Sequence, residues 1–221
     1  MQRYFEASEQ AGWFSNSGPC HDLLVERLRA RVGTWCTPVA SGTAGLAVAL
    51  QALRREGRRK VVIPSFTFAA VPGAVSWCGL ESIFIDIEPT GWHADPVSLA
   101  EALDAHGKDV IVGSSFGIPP DPEQSSSWTE ICQLHEVPLI VDSAAGFGSV
   151  RSDGQPLGSQ GDAEVFSFHA TKPFAIGEGG LITTGDPTLH EEIRRLINFG
   201  FNKLRIVDRP PGINAKSSEV Q

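Results

Sequence analysis

The sequence predicts an α/β fold, a mainly parallel sheet covered by helices on both faces. Three observations predict it. Short apolar, β-branched runs recur along the chain, stretches with helical spacing separate most of them, and the runs are apolar enough to be buried on both sides. At 221 residues the chain amounts to about one and a half domains of roughly 150 residues each. One sizeable domain plus an incomplete second fits that length. A content of 41% hydrophobic and 20% charged residues supports a buried core.

The strands are expected at Val61-Val62-Ile63, Ile83-Phe84-Ile85, Val110-Ile111-Val112, Leu139-Ile140-Val141, Val165-Phe166-Ser167-Phe168 and Leu181-Ile182-Thr183-Thr184. Helices are expected at 21–31, 43–55, 66–78, 96–106, 125–136 and 187–198, each opening near a Ser, Thr, Asp or Pro start signal. Asp208-Arg209-Pro210-Pro211-Gly212 reads as a loop. This division gives a large domain with its N-terminal segment over residues 1–207 and the start of a truncated C-terminal region over 208–221. Ser217 and Ser218 carry helix-start chemistry, but the chain stops before three turns complete, so its end reads as cut.

A net charge of −8 argues against a broad grip on nucleic acid or on an anionic membrane. No apolar run approaches the roughly 18 residues of a membrane span, and Met1-Gln2-Arg3-Tyr4-Phe5-Glu6 lacks the layout of a secretion signal, so a cytoplasmic protein is expected. Cys20, Cys36, Cys78 and Cys132 form no C-x-x-C, and no His pair has metal-binding spacing, so buried or free thiols and no metal are expected. Tyr4, the only tyrosine, sits near the terminus; internal proton transfer falls to Lys, His, Asp or Glu.

Four local patterns carry chemistry. Ser41-Gly42-Thr43-Ala44 opens a helix whose unpaired N–H groups can hold a phosphate; a plain N-cap accounts for the same residues. Asp142 ends a buried strand, at the edge where open α/β sheets place their ligands, and reads either as a cap of Ser143-Ala144-Ala145 or as an acceptor for a protonated ring nitrogen. Lys172 lies between the strand end Ser167-Phe168-His169 and Gly177-Glu178-Gly179-Gly180, as a solvated charge or as a desolvated nucleophile toward an aldehyde. His169 beside it suits a hydrogen-bonded structural role. Phe66 and Phe68, after the first strand, are core residues or a platform for a flat cofactor. Phosphate, ring nitrogen, aldehyde and ring face are together the contacts that pyridoxal phosphate needs.

In their order and spacing over residues 10–221, these motifs resemble the DegT/DnrJ/StrS-type sugar aminotransferases. The resemblance implies the aspartate-aminotransferase-like (type I) large domain, pyridoxal 5'-phosphate as cofactor, and transfer of an amino group from an amino acid, usually glutamate, to a keto sugar on a nucleotide. Carried over, Lys172 bonds to the cofactor aldehyde and shuttles the proton, a role that calls for a lysine pKa lowered toward neutrality. Asp142 pairs with the ring nitrogen, Phe68 stacks on the ring, and Gly42, Thr43, Ala44 and Ser167 hold the phosphate. Some relatives carry His at the lysine position and dehydrate sugars, so Lys172 favours transamination. Gly212-Ile213-Asn214-Ala215-Lys216 resembles the segment whose asparagine reaches the neighbouring subunit's phosphate, making Asn214 a contact across a homodimer. Two departures stand out: relatives carry Gln or His where this chain has Ala145, and they continue well beyond Gln221 into a smaller closing domain. The second departure keeps open a different class of reading, a truncated, non-catalytic remnant that binds cofactor or dimerises without turnover.

Overall fold

The computed structural model describes residues 2–54, 56–107, 110–114, 117–208 and 211–220. In chain order they form α1 (Gln2–Ala11), α2 (Pro19–Val32), β1 (Trp35–Val39), α3 (Gly42–Leu53), β2 (Lys60–Pro64), α4 (Ala70–Trp77) and β3 (Glu81–Ile85). There follow α5 (Pro96–His106), β4 (Val110–Ser114), α6 (Pro122–Leu134), β5 (Leu139–Asp142), β6 (Ala163–Ser167), β7 (Gly180–Thr184) and α7 (Pro187–Leu196). The seven strands lie in the order β1-β7-β6-β5-β4-β2-β3. Strands β2 to β6 pair in parallel, while β7 runs antiparallel between β6 and β1, so the sheet is mainly parallel as expected.

Successive residues of a strand enter opposite layers, and both layers are filled here. Val61, Ile63, Ile140, Val165 and Ile182 pack into one core with α3, α4 and α7. On the other face Val62, Leu139 and Val141 meet α5 and α6, and Phe166 and Leu181 meet α2. Trp128 of α6 is 1% exposed there, and its Nε1 donates to the Ala94 carbonyl at 3.0 Å. Trp128→Ala is expected to destabilise the fold by about 3–5 kcal/mol in urea unfolding; a loss below ~1 kcal/mol would contradict this packing.

Prolines set several helix starts, because the missing N–H falls where an α-helix has no internal acceptor. α2, α5, α6 and α7 all begin at Pro. The helix expected from 125 therefore starts at Pro122. The helix expected from 66 starts later, at Ala70: the Ser65 N–H is spent on the Ile85 carbonyl, and the chain then turns, with the Val71 N–H donating to Phe68. Two elements, α1 and β1, are additions to the sequence reading. β1 holds Pro38, which an edge strand tolerates.

The last described segment packs on this same body. Ala215 is fully buried and exchanges backbone hydrogen bonds with Ala40 and Ile197. Ser217 and Ser218 lead into a turn rather than a helix among the described residues. The Glu219 carboxylate accepts from Ser8 Oγ and from the Gly18, Cys20 and His21 N–H groups at 2.8–3.1 Å, and so caps α2, whose N-cap residue Gly18 has no side chain to do it.

Candidate active site

The C-terminal ends of the parallel strands share one edge of the sheet, and the residues singled out above converge there. Next to the end of β6, α3 begins. Ser41 is extended at φ −162°; its Oγ accepts the Ala44 N–H at 3.1 Å and its carbonyl accepts the Gly45 N–H. The Gly42 and Thr43 N–H groups are left without an acceptor among the described residues. Backbone packing forces glycine at two places. A Cβ on Gly42 would lie 2.9 Å from Ser167 Cβ, and one on Gly180 would lie 2.7 Å from the Gly42 nitrogen. Ser167 is thereby held against the helix start, its N–H donating to the Ala144 carbonyl and its Oγ accepting the His169 N–H.

Asp142, the last residue of β5, is 5% exposed, and its Oδ1 accepts the Ala144 N–H at 3.0 Å. Asp142 thus caps the following turn, and it is a buried carboxylate at the ligand edge. Burial pushes its pKa up to about 6, against the lowering effects of the Ala144 N–H and the Lys172 charge.

Lys172 sits in a closed loop. The Phe168 and Ala170 N–H groups donate to Gly179 and Gly177, and Ile176 donates back to Phe168. Gly177, at φ +96°, makes the return turn that other residues would take only with strain. Phe147, Phe168 and Phe174 pack their rings 4.9–5.1 Å apart beneath this loop. His169 Nδ1 accepts the Thr171 N–H, which leaves the proton on Nε2, 3.5 Å from Glu178 Oε1. His169 is therefore a structural part of the loop.

Of the two phenylalanines after β2, the structure separates their partners. Phe68, 65% exposed, lies under Lys172 Nζ at 5.7 Å from its ring centre; Phe66 instead packs edge-on against Trp92 at 5.8 Å. Between them, Thr67 Oγ1 is buried and has no hydrogen-bond partner among the described residues. Ala145 lies against the backbone of Gly117: a Cβ there would come within 2.7 Å of the Ala145 Cβ. Asn214 is exposed, with its Oδ1 accepting Lys216 Nζ at 2.7 Å.

Sequence reasoning missed the close approach of Gly180 to the Gly42 backbone. It read Gly177-Glu178-Gly179-Gly180 as a flexible stretch where backbone can closely approach a ligand. The alternation of glycines around a strand start was the available signal.

The remaining chemistry is sparse. None of the four cysteines is in a disulfide among the described residues, and burial pushes Cys36 and Cys132 up to about 12. Among the described residues no three His, Cys, Asp or Glu side chains are grouped to hold a metal ion, and no helix is long and apolar enough to cross a membrane.

The fold matches that of solved chains assigned to the class of pyridoxal phosphate-dependent aminotransferases. A solved Bacillus cereus structure assigned to that class superposes with a TM-score of 0.89 at 33% identity, over 99% of this chain and 60% of its own. The model of the DegT/DnrJ/EryC1/StrS aminotransferase family matches residues 1–221, and the chain belongs to that family. Protein Rv3402c of Mycobacterium tuberculosis is 39% identical over 219 residues, 96% of this chain and 52% of that protein. The dTDP-4-amino-4,6-dideoxy-D-glucose transaminase of Shigella dysenteriae is 33% identical over 221 residues, covering 98% and 58%. The chain thus spans about half the length of the curated relatives it matches.

Proposed function

We propose that this protein binds pyridoxal 5'-phosphate and moves an amino group from an amino acid, glutamate, to a keto sugar carried on a nucleotide. The observation that carries the reading is Lys172 Nζ held above the exposed Phe68 ring, with its charge acting on the buried Asp142. The residues present fit the cofactor. Among the described residues the Gly42 and Thr43 amides lack acceptors, the Phe68 ring is uncovered, and the Thr67 hydroxyl is buried without a partner. Each is a feature that a phosphorylated aromatic ligand satisfies.

The cofactor supplies an aldehyde that bonds to amines and a ring that takes up an electron pair. The chain supplies the rest. Gly42, Thr43, Ala44 and Ser167 hold the phosphate at the start of α3, where the helix dipole favours an anion. Phe68 covers one face of the ring. Asp142 holds a proton on the ring nitrogen through a charge-assisted hydrogen bond. Lys172 Nζ would anchor the aldehyde and, as a free amine, would hold and move a proton at the donor carbon. The active protein is a homodimer in this reading, with Asn214 of the partner subunit reaching the phosphate; the exposed Asn214 side chain supports it. The sugar class comes from the Shigella relative, whose name specifies a dTDP-linked amino sugar.

The test is direct: the purified protein with the cofactor, glutamate and a dTDP-linked 4-keto sugar should release 2-oxoglutarate and form the amino sugar. Cofactor loading without either product would overturn the assignment. A pH dependence follows from Asp142. Its carboxyl, raised to about 6, must lose its proton to pair with a protonated ring nitrogen, so cofactor affinity should weaken as pH falls through about 6. Binding titrations between pH 5 and 7.5 should show that loss in the wild type and a flatter profile in Asp142→Asn.

A further inference from the structure

One buried acid stands outside the machinery just assigned. Glu164 is the second residue of β6, between Ala163 and Val165, and is 0% exposed. A strand buried on both faces is a costly place for a carboxylate unless donors surround it. Four do. Ser143 Oγ donates to Oε1 at 2.5 Å and Gln160 Nε2 to the same oxygen at 3.3 Å, while the Gly158 and Gln160 N–H groups donate to Oε2 at 2.7 and 3.0 Å. Burial raises the Glu164 pKa, against the lowering effects of the Ser143, Gln160 and Gly158 donors and of the Arg151 charge. The chain of polar contacts continues outward, from Gln160 Oε1 to Ser125 Oγ on α6 at 3.2 Å.

Its inner end is what matters. Ser143 is 0% exposed and follows Asp142 directly; its N–H donates to the Val165 carbonyl at 2.9 Å and its carbonyl accepts the Gly146 N–H at 2.8 Å. With N–H, carbonyl and hydroxyl all tied, Ser143 has no freedom to rotate. Successive side chains leave a strand on opposite sides, so a hydroxyl pinned on one side fixes the direction of the carboxylate before it on the other. An apolar residue at 164 would fill the strand with no buried charge, yet it would leave Ser143 and the 158–160 turn unheld.

We propose that Glu164 is a positioning residue: acting through Ser143, it locks the exit of β5 so that Asp142 stays directed at the ring nitrogen, and its negative charge adds to the field there. The proposal rests on the cofactor reading above. Glu164→Gln keeps the size and an acceptor for the two N–H groups but removes the charge and turns the Ser143 hydroxyl. Ser143→Ala removes the link alone and is the milder change should the first variant fold poorly.

The experiment compares the cofactor-loaded protein and both variants by visible absorbance against pH and by the rate of the glutamate half-reaction. Both variants should lower that rate about tenfold. In Glu164→Gln the midpoint of the absorbance titration should move down by about 0.5–1 pH unit, because a negative field that favours cationic forms is lost. Unchanged midpoint and rate, with only a lower melting temperature, would show a scaffold role and overturn the proposal. A wild-type protein without any visible band would overturn the cofactor reading, and this proposal with it. A normal wild-type band with unmoved variants overturns this proposal alone.

Discussion

Replacing Lys172 with alanine should abolish transamination, by about 10⁴-fold or more, because one side chain carries both the covalent hold on the aldehyde and the proton transfer, the latter alone worth about 10²–10⁴-fold. Lys172→Arg separates charge from chemistry. The guanidinium keeps the cation over Phe68 but stays protonated, so it neither bonds to the aldehyde nor moves a proton. It should be as inactive as alanine. Neither change should unfold the protein: Lys172 is only half-buried, and its loop is held by backbone bonds and by the Phe147, Phe168 and Phe174 rings. Stability should stay within ~1 kcal/mol of wild type. Steady-state rates with glutamate, paired with urea unfolding of each variant, check both halves. Activity within tenfold of wild type in either variant would remove Lys172 from the reaction.

Asp142→Asn should lower activity by about 10²–10³-fold while raising the stability of the cofactor-free protein. The asparagine still accepts the Ala144 N–H but no longer holds a proton on the ring nitrogen. The stability sign follows from the raised pKa. Between an unfolded value near 4 and a folded value of about 6, the folded state binds the extra proton, so stability falls as pH rises through that window. At pH 7 the ionised, desolvated carboxylate costs on the order of 2–3 kcal/mol, which the amide avoids. The variant should therefore outlast wild type in urea at pH 7 and lose that advantage near pH 4. A variant less stable at pH 7 would contradict this account of the burial. Function here is bought with stability.

What was legible in the sequence follows from where each signal is stored. Strands β2, β5, β6 and β7 carry apolar, β-branched runs because both faces are covered, and such runs, like those of β3 and β4, stand out without any partner in view. β1 does not: Thr37 and Pro38 break the run, and its place beside β7 is a long-range fact. Helix starts at Pro and Asp are local chemistry, yet the cap of α2 comes from Glu219, some two hundred residues away, and Ser217-Ser218 lead into a turn among the described residues. At the site, the strand-end position of Asp142 and the loop of Lys172 are local patterns. The choice between Phe66 and Phe68 is not, since both follow β2 and only the tertiary fold turns one toward Lys172 and the other toward Trp92. Glu164 is the extreme case: in sequence it interrupts an apolar strand, and its four donors come from residues 143, 158 and 160, which no periodicity connects.

The central claim is that Lys172 Nζ bonds to the aldehyde of pyridoxal phosphate. The most direct measurement loads the protein with the cofactor, reduces it with borohydride and maps the pyridoxyl group by peptide mass. The account predicts one modified peptide, carrying the label on Lys172. The chain has four other lysines, Lys60, Lys108, Lys203 and Lys216. A label spread over those, with Lys172 unmodified, would contradict it.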